Sequence, residues 1–312
     1  MNESDPPATE AEPSAPSRLP ASALLLLVLV IVMWGASYPT MKAAALEIPL
    51  VTFRGWSALI PALIMLALAR AMGHTLRVPR ACWLGLALTG ICIVTFTHTL
   101  TTMSTLYIAS GQTSLMLYTM PIWVAIISIP VLGERPTRAH WLGVSLGVGG
   151  IVSLWSQTAD GGFSIGVLLG LISAITWSIG TIAAKSVSSR LPSMVMTGWS
   201  FLIGALPLCL YGLTEINQLG PVSPRALWSA VFLTFGANFL GFLAFFHIIR
   251  LVPAVVASLS ILAVPGVSFA VGVFLVDEIM TVTDVVAFVL IAGALTTVLP
   301  KPSLKRRNSS PD

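Results

Sequence analysis

The sequence predicts an all-α polytopic membrane protein of ten transmembrane helices, arranged as two inverted five-helix repeats. Three observations support this fold class. Of the 312 residues, 56% are hydrophobic and only 9% are charged, whereas soluble domains are about one quarter charged. Apolar runs long enough to cross a bilayer follow one another, and sequence landmarks recur at a constant offset. The net charge of +4 then indicates contact with a lipid bilayer rather than with nucleic acid.

The repeat is clearest in a spacing between proline and glutamate. Glu134 lies thirteen positions after Pro121 across a mostly apolar stretch, Glu278 follows Pro265 by the same interval, and the copies lie 144 residues apart (265 − 121). Three pairs of tryptophans recur at nearly the same offset: Trp34 and Trp177, Trp56 and Trp199, Trp83 and Trp228. The membrane part is therefore predicted to be a tandem duplication.

The chain divides into two tails and two repeats. Residues 1–20 are acidic and rich in proline, which predicts a disordered cytoplasmic tail, and 300–312 form a basic cytoplasmic tail. The repeats are expected at 22–156 and 163–299. Since a helix crosses the bilayer core in roughly 20 residues, ten spans are predicted. They lie near 22–45, 51–71, 82–103, 106–131, 139–156, 163–185, 193–213, 226–248, 253–276 and 281–299.

The distribution of Lys and Arg predicts the orientation. With the N-terminus in the cytoplasm, thirteen of the sixteen basic residues fall on the inner side, as the positive-inside rule requires. Lys42, Arg54 and Arg225 are the exceptions. Five helices per repeat is an odd number, so the second repeat would enter the membrane inverted. Inverted repeats are typical of carriers that work by alternating access, and an inner bacterial membrane is the expected location.

The first helix offers the best candidate for a substrate pathway. Trp34, Ser37 and Tyr38 share one face at helical spacing, and Pro39 predicts a kink. Trp177 repeats the position of Trp34 in the sixth helix. The face is either the wall of a cavity or a notch for helix packing, and the sequence leaves both open.

Polar residues within the other spans are further candidates, because polar groups in lipid face a cavity or a partner helix. On the third helix, Thr95, His98 and Thr102 form a stripe at helical spacing. Gln112 either binds substrate or caps its helix, and Asn238 is a pathway candidate in the eighth helix. Pro121 and Pro265 are predicted to bend their spans and gate the pathway, with a static kink as the alternative.

Charged groups give weaker signals. Arg54 lies one turn inside the second helix, where snorkelling to the surface is favoured over holding an anionic group. Glu134 and Glu278 fall at helix ends, where they anchor the helices or couple protons. No carboxylate is expected in mid-span, which counts against a small multidrug antiporter with a buried acid. The sequence has no nucleotide loop, metal cluster or activated nucleophile, so neither an enzyme nor a cofactor is expected.

These motifs together resemble the EamA domain of the drug/metabolite transporter superfamily. The resemblance rests on Trp34-Gly35-Ala36-Ser37-Tyr38-Pro39, Leu132-Gly133-Glu134 and the glycines Gly143, Gly147, Gly149 and Gly150. In the second copy, Asp277 stands where the first has Gly133. The resemblance implies a ten-helix carrier, often an exporter of amino acids or other small metabolites, and leaves the cargo open.

The function predicted is therefore secondary export of a small metabolite, with the site near Trp34, Tyr38, His98 and Trp177. One alternative is a membrane protein that handles lipid or senses a signal without moving solute. Another, within carriers, is a nucleotide-sugar exchanger, although Lys and Arg to hold phosphate are scarce in mid-span. The partners expected are a small-molecule substrate and the bilayer, and a homodimer stays open as the assembly.

Overall fold

A computed structural model describes residues 21–132, 138–155, 164–248 and 263–298, and the regular structure in those ranges is helical throughout. The predicted tails, together with Gly133 and Glu134, lie outside the described residues. The helices, numbered in chain order, are α1 Ala21–Ala45, α2 Leu50–Ala71, α3 Arg80–Tyr107, α4 Ser110–Leu117, α5 Met120–Leu132, α6 Arg138–Trp155, α7 Ile165–Val187, α8 Ser193–Glu215, α9 224–248, α10 Val264–Leu275 and α11 Val282–Val298.

Six of these helices are long and apolar enough to cross a bilayer, namely α1, α2, α3, α7, α8 and α9. Shorter apolar helices occur at Trp141–Leu154, Val264–Leu275 and Val282–Thr296. The prediction of a helical, membrane-spanning chain is therefore confirmed. The exact count of ten spans stays a prediction, because it also requires the shorter helices to cross.

Two helices contain a π-helical segment, in which each backbone hydrogen bond spans five residues instead of four. The segments are Gly90–Thr97 in α3 and Phe232–Gly241 in α9. Their starts lie 142 residues apart (232 − 90), close to the offset of the other landmarks. The wider turn changes which side chains share a face, so spacing rules for an α-helix fail on both segments.

Packing pairs helices from the two halves of the chain. Helix α2 runs along α8, α6 runs along α11, and α1 packs against α9 and α10. In turn, α7 packs against α3, α4 and α5. Small residues allow the close approach: a Cβ atom on Gly35 would meet Val267, and one on Gly170 would meet Met116. A Cβ atom on Gly166 would likewise meet Tyr107 and Ile108.

The main core lies where α1, α4, α7, α9, α10 and α11 meet. Its buried members include Tyr38, Met116, Leu233, Phe269 and Ile291. We call the end of the bundle at which α1 finishes the Lys42 end. The core surrounds a central cavity, whose wall is the first candidate for function.

Candidate functional site

A cavity lies in the middle of the helix bundle, between residues from both halves of the chain. Its atom-free space is about 620 Å³, including its mouth, and the centre of a water molecule could occupy about 80 Å³ of it. The second figure, which is the one comparable to known cavity volumes, is well below the roughly 300–1,000 Å³ usual for small-molecule sites. The lining residues are Trp34, Ser37, Tyr38, Met41, Arg54, Thr97, His98, Thr101, Leu117, Tyr118, Met120, Trp177, Leu233, Ala237, Asn238 and Phe242.

Helix α1 contributes the aromatic wall that its sequence predicts. Trp34, Ser37 and Tyr38 line the cavity together, because residues three and four apart share a helix face. The Ser37 hydroxyl donates to the Trp34 carbonyl oxygen at 2.6 Å, so this hydroxyl is satisfied within its own helix. The Trp34 ring lies 5.5 Å from that of Phe242, centroid to centroid, which fixes its position against α9.

On α3 the predicted polar stripe is partly wrong. His98 lines the cavity, but its companions there are Thr97 and Thr101 rather than Thr95 and Thr102. The π-helical segment ends at Thr97, and its wider turn accounts for Thr97 rather than Thr95 at the cavity. From His98 onward the helix is α-helical. Thr95 instead donates to the Gly204 carbonyl oxygen at 2.7 Å, and Thr102 donates to the His98 carbonyl oxygen at 2.7 Å. The Thr95 hydroxyl therefore joins α3 to α8, whereas that of Thr102 is satisfied within its own helix.

The second half contributes Trp177 from α7 and Asn238 from α9. The Asn238 amide donates to the Ser57 carbonyl oxygen at 2.8 Å, across the boundary between α9 and α2. The same α9 segment approaches α1 closely, since a Cβ atom on Gly241 would lie 2.8 Å from the Trp34 indole nitrogen. Both residues line the same cavity as Trp34.

Arg54 is the residue that sequence reasoning placed incorrectly. It is only 2% exposed, so it does not snorkel to the surface, and it lines the cavity. Its Nε and Nη1 atoms have no hydrogen-bond partner, and neither has Nδ1 of His98. A position one helical turn from the end of α2 suggested an exposed side chain. The packing of α2 along α8 instead turns the side chain inward.

Gln112 lies outside the central cavity. Its Nε2 donates to Oδ1 of Asp284 at 2.7 Å, and its Oε1 accepts from the Ala109 backbone nitrogen at 3.2 Å. The capping role left open by the sequence is therefore the one observed. Asp284 is completely buried near the start of the last predicted span, so the expectation of no carboxylate in mid-span is not contradicted by it. It lies in the first turn of α11 and accepts from the Thr281 backbone nitrogen at 2.8 Å. The Thr281–Asp284 pair matches a capping-box pattern, and this pattern could have predicted from the sequence that Asp284 lies at the start of its helix.

The candidate gating prolines take two different positions. Pro39 lies inside α1, as predicted. Pro121 and Pro265 are each the second residue of a helix, α5 and α10, rather than bends within a continuous one. Proline is favoured at helix starts because no backbone donor is lost there. Each of these two prolines therefore lies at the start of a described helix, and the predicted bend in mid-span is not observed at either.

A second set of polar contacts lies at the Lys42 end. Oε1 of Glu278 accepts from Nζ of Lys42 at 2.7 Å and from the Ser110 hydroxyl at 2.9 Å, while the Ser110 backbone nitrogen donates to both carboxylate oxygens. Asp277, which stands in place of glycine, has a φ angle of 54°, in the left-handed region. Glycine adopts such a conformation without steric cost, and Glu278, the next residue, reaches α1 and α4.

Comparison with known proteins decides the family. A profile described as the EamA-like transporter family matches residues 21–156 and, a second time, residues 164–299. The chain belongs to the EamA-like transporter family. The resemblance predicted from the Trp34 motif and the repeated spacing is thus confirmed, and the protein is a membrane protein of a transporter family.

Several relatives of this EamA-like protein are also named as transporters. The uncharacterized transporter YvbV of Bacillus subtilis is 27% identical over 284 residues, which cover 90% of this chain and 93% of YvbV. An Escherichia coli protein named "Probable amino-acid metabolite efflux pump" is 26% identical over 286 residues, covering 87% and 92%. A crystal structure at 23% identity superposes with a TM-score of 0.61 over 89% of this chain and 96% of the other, which supports the fold.

Proposed function

We propose that this EamA-like protein is a secondary transporter that exports small metabolites such as amino acids. The two halves act as inverted repeats, and the cargo binds in the central cavity between them. The observation that carries the proposal is the composition of the cavity wall. Trp34, Arg54 and His98 come from the first half, whereas Trp177 and Asn238 come from the second. A site shared between two repeats is what alternating access requires.

The packing of the helices supports the inverted repeat. At the offset of 144, α1 corresponds to α7, α2 to α8, and α6 to α11. Helix α2 packs on α8 and α6 packs on α11, so corresponding helices contact one another. Helix α1 contacts α9 and α10 of the second half, and α7 contacts α3, α4 and α5 of the first. Reciprocal contacts of this kind are expected when a two-fold axis relates the halves.

Contacts at the Lys42 end support a closed state on that side. Glu278 bonds to Lys42 and Ser110, which joins α10 to α1 and α4. In addition, the Glu47 carboxylate accepts from the Ser223 backbone nitrogen at 2.6 Å, which joins the loop after α1 to the start of α9. These bonds must break for cargo to pass at this end, so they are suited to act as a reversible gate.

The direction and location of transport are parts of the same proposal. The similarity to a protein named as an amino-acid metabolite efflux pump supports export and this cargo class. The excess of Lys and Arg on one side favours cytoplasmic termini in a bacterial inner membrane. The Lys42 end would then face outward.

Mass spectrometry of spent medium tests the proposal. Cells express the wild type, the Trp34→Ala variant or an empty vector, with membrane levels matched. We expect a set of metabolites to be enriched by the wild type and not by Trp34→Ala. Trp228→Ala is the matched control, because Trp228 is 70% exposed and should export normally. Equal metabolite levels in all four cultures would contradict export.

A further inference from the structure

We propose that Arg54 binds the carboxylate of the cargo, and that the cavity selects organic carboxylates with an apolar or aromatic body. This inference rests on the proposed function, because it takes the central cavity as the cargo site. It adds the chemical class of the cargo and the residue that recognises it.

The first step of the argument is that Arg54 is buried without a partner. The residue is 2% exposed, and its Nε and Nη1 atoms make no hydrogen bond. The guanidinium carbon lies 5.8 Å from the ring centroid of Phe53, within the range of a cation–π contact, but a ring face does not neutralise the charge. Burying a charge without compensation is costly. A side chain kept in this state is typical of a binding site rather than of a structural core.

The second step concerns the charge of the group that could pair with Arg54. No Asp or Glu is among the residues that line the cavity. The buried acids that the structure describes are committed elsewhere: Glu278 to Lys42 and Ser110, and Asp284 to Gln112 and Thr281. The guanidinium is positive at any physiological pH. Among the described residues no acid is placed to pair with Arg54, so the geometry favours an anion that enters the cavity from outside the protein.

The third step is geometric. His98 reaches the same cavity from α3, and its Nδ1 also lacks a hydrogen-bond partner. Arginine presents its donors as a planar fork that matches the two oxygens of a carboxylate. With His98 as an additional donor, a carboxylate can satisfy buried groups from two helices. An ammonium group would find no carboxylate here, so the amino group of an amino acid is tolerated rather than selected.

The fourth step is the nature of the remaining wall. Trp34, Tyr38, Tyr118 and Trp177 surround the polar groups with aromatic surface. Such a wall favours an apolar or aromatic body, because burial of apolar area provides most of the binding free energy of small ligands. Inorganic anions would leave this surface in contact with water. The cavity is therefore matched to an organic anion rather than to phosphate.

Isothermal titration of the purified full-length protein in detergent tests the inference. The probes are two matched pairs, 3-phenylpropanoate with 3-phenylpropanamide and L-phenylalanine with L-phenylalaninamide, together with inorganic phosphate. The wild type should bind each carboxylate at least about tenfold more tightly than its amide, as loss of a charge-assisted hydrogen bond implies. Phosphate should bind more weakly than either carboxylate.

Three variants connect this preference to Arg54. Arg54→Gln should bind the acid and the amide of each pair equally, while Arg54→Lys should retain part of the preference because it keeps the charge. Arg225→Gln removes an exposed positive charge outside the cavity and should behave as the wild type. All variants must first elute as monodisperse protein. Because Arg54→Lys keeps the positive charge, comparing it with Arg54→Gln also distinguishes loss of the charge from loss of the fold.

Equal binding of acid and amide by the wild type would overturn the inference, as would an absence of carboxylate binding or an unchanged preference in Arg54→Gln. Tighter binding of phosphate than of both carboxylates would overturn it too. These outcomes are distinct from failure of the proposed function. If spent medium contains exported metabolites that lack a carboxylate, export stands and the role of Arg54 falls. If the carboxylate preference is found but no metabolite is exported, the binding site stands and export falls.

Discussion

Nζ of Lys42 lies 2.7 Å from Oε1 of Glu278, although 236 residues separate them in the sequence. The pair joins the end of α1 to the segment after α10, and Ser110 adds α4 to the same carboxylate. The Lys42 side chain is 19% exposed and that of Glu278 is 9% exposed. This ion pair is therefore largely shielded from water, and its loss should be measurable.

Glu278→Gln is expected to destabilise the protein by about 3 kcal/mol, because removing one partner leaves the Lys42 charge buried and unpaired. Unfolding in detergent, followed by circular dichroism, measures the effect. The Lys42→Met/Glu278→Gln double variant is the control, and it should lose less stability than the two single changes added together. Strictly additive losses would show that the two side chains do not interact.

Asp277→Gly is expected to stabilise the protein by about 0.5–1 kcal/mol. Asp277 has a φ of 54°, and glycine adopts this left-handed conformation without steric cost. Asp277→Ala has the steric cost and loses any local hydrogen bonding of the carboxylate, so it should be less stable than the glycine variant. A shift of the unfolding midpoint in detergent measures both. An alanine variant as stable as the glycine variant would argue against backbone strain at this turn.

Arg54→Met should raise the stability of the ligand-free protein by about 1 kcal/mol or more. Replacing a buried charged group by an apolar one of similar length removes a desolvation cost that no partner offsets. Substitutions that raise stability at a binding site commonly reduce function. The unfolding midpoint without ligand is the measurement. A large fall in that midpoint would instead indicate that Arg54 holds the helices together.

Much of the helical framework could be predicted from the sequence, because apolar length determines where a chain can cross a bilayer. Helices α1 and α2 begin and end within about one residue of the predicted spans. The break between the third and fourth predicted spans lies at Ile108 and Ala109, a few residues beyond the predicted position. Hydroxyl-rich sequence there gave no sharp signal for the end of the helix.

Site residues were predictable where helical spacing holds and not where it changes. Trp34, Ser37 and Tyr38 meet at the cavity as their spacing in α1 predicts. Thr95 was expected there and Thr97 was not, because nothing in the sequence indicated the π-helical segment of α3. Arg54 required knowledge of the neighbouring helices, since its position along α2 alone suggested an exposed side chain.

Contacts between distant segments were beyond a single sequence. The predicted topology placed Lys42 and Glu278 at the same side of the membrane, but it gave no reason to pair them. The Gln112–Asp284 bond likewise joins residues 172 apart in the sequence. Such pairs depend on how α1, α10 and α11 pack, which local patterns do not encode.

A pH dependence is expected at the loop after α1. Hydrogen bonds from the backbone and then the hydroxyl of Ser223 lower the pKa of Glu47 below its usual 4.5. Because the pKa is lower in the folded state, the stabilisation is present above about pH 4.5 and is lost as the pH falls through the folded value. Stability from pH 6 to pH 3 should fall less in Glu47→Gln than in the wild type. An equal fall in stability with pH in the wild type and in Glu47→Gln would show that Glu47 makes no such contribution.

The most direct test of the central claim is to block the cavity chemically. Ser37, which lines it, is changed to cysteine after the three free cysteines, Cys82, Cys92 and Cys209, are replaced by alanine. Leu210→Cys on the same background is the control, because Leu210 is 67% exposed on the outer face of α8. Efflux of an amino-acid mixture from loaded proteoliposomes is followed by mass spectrometry before and after reaction with a benzyl methanethiosulfonate. We predict that labelling at position 37 abolishes most of the efflux, whereas labelling at position 210 leaves it unchanged. Full efflux from protein completely labelled at position 37 would contradict transport through this cavity.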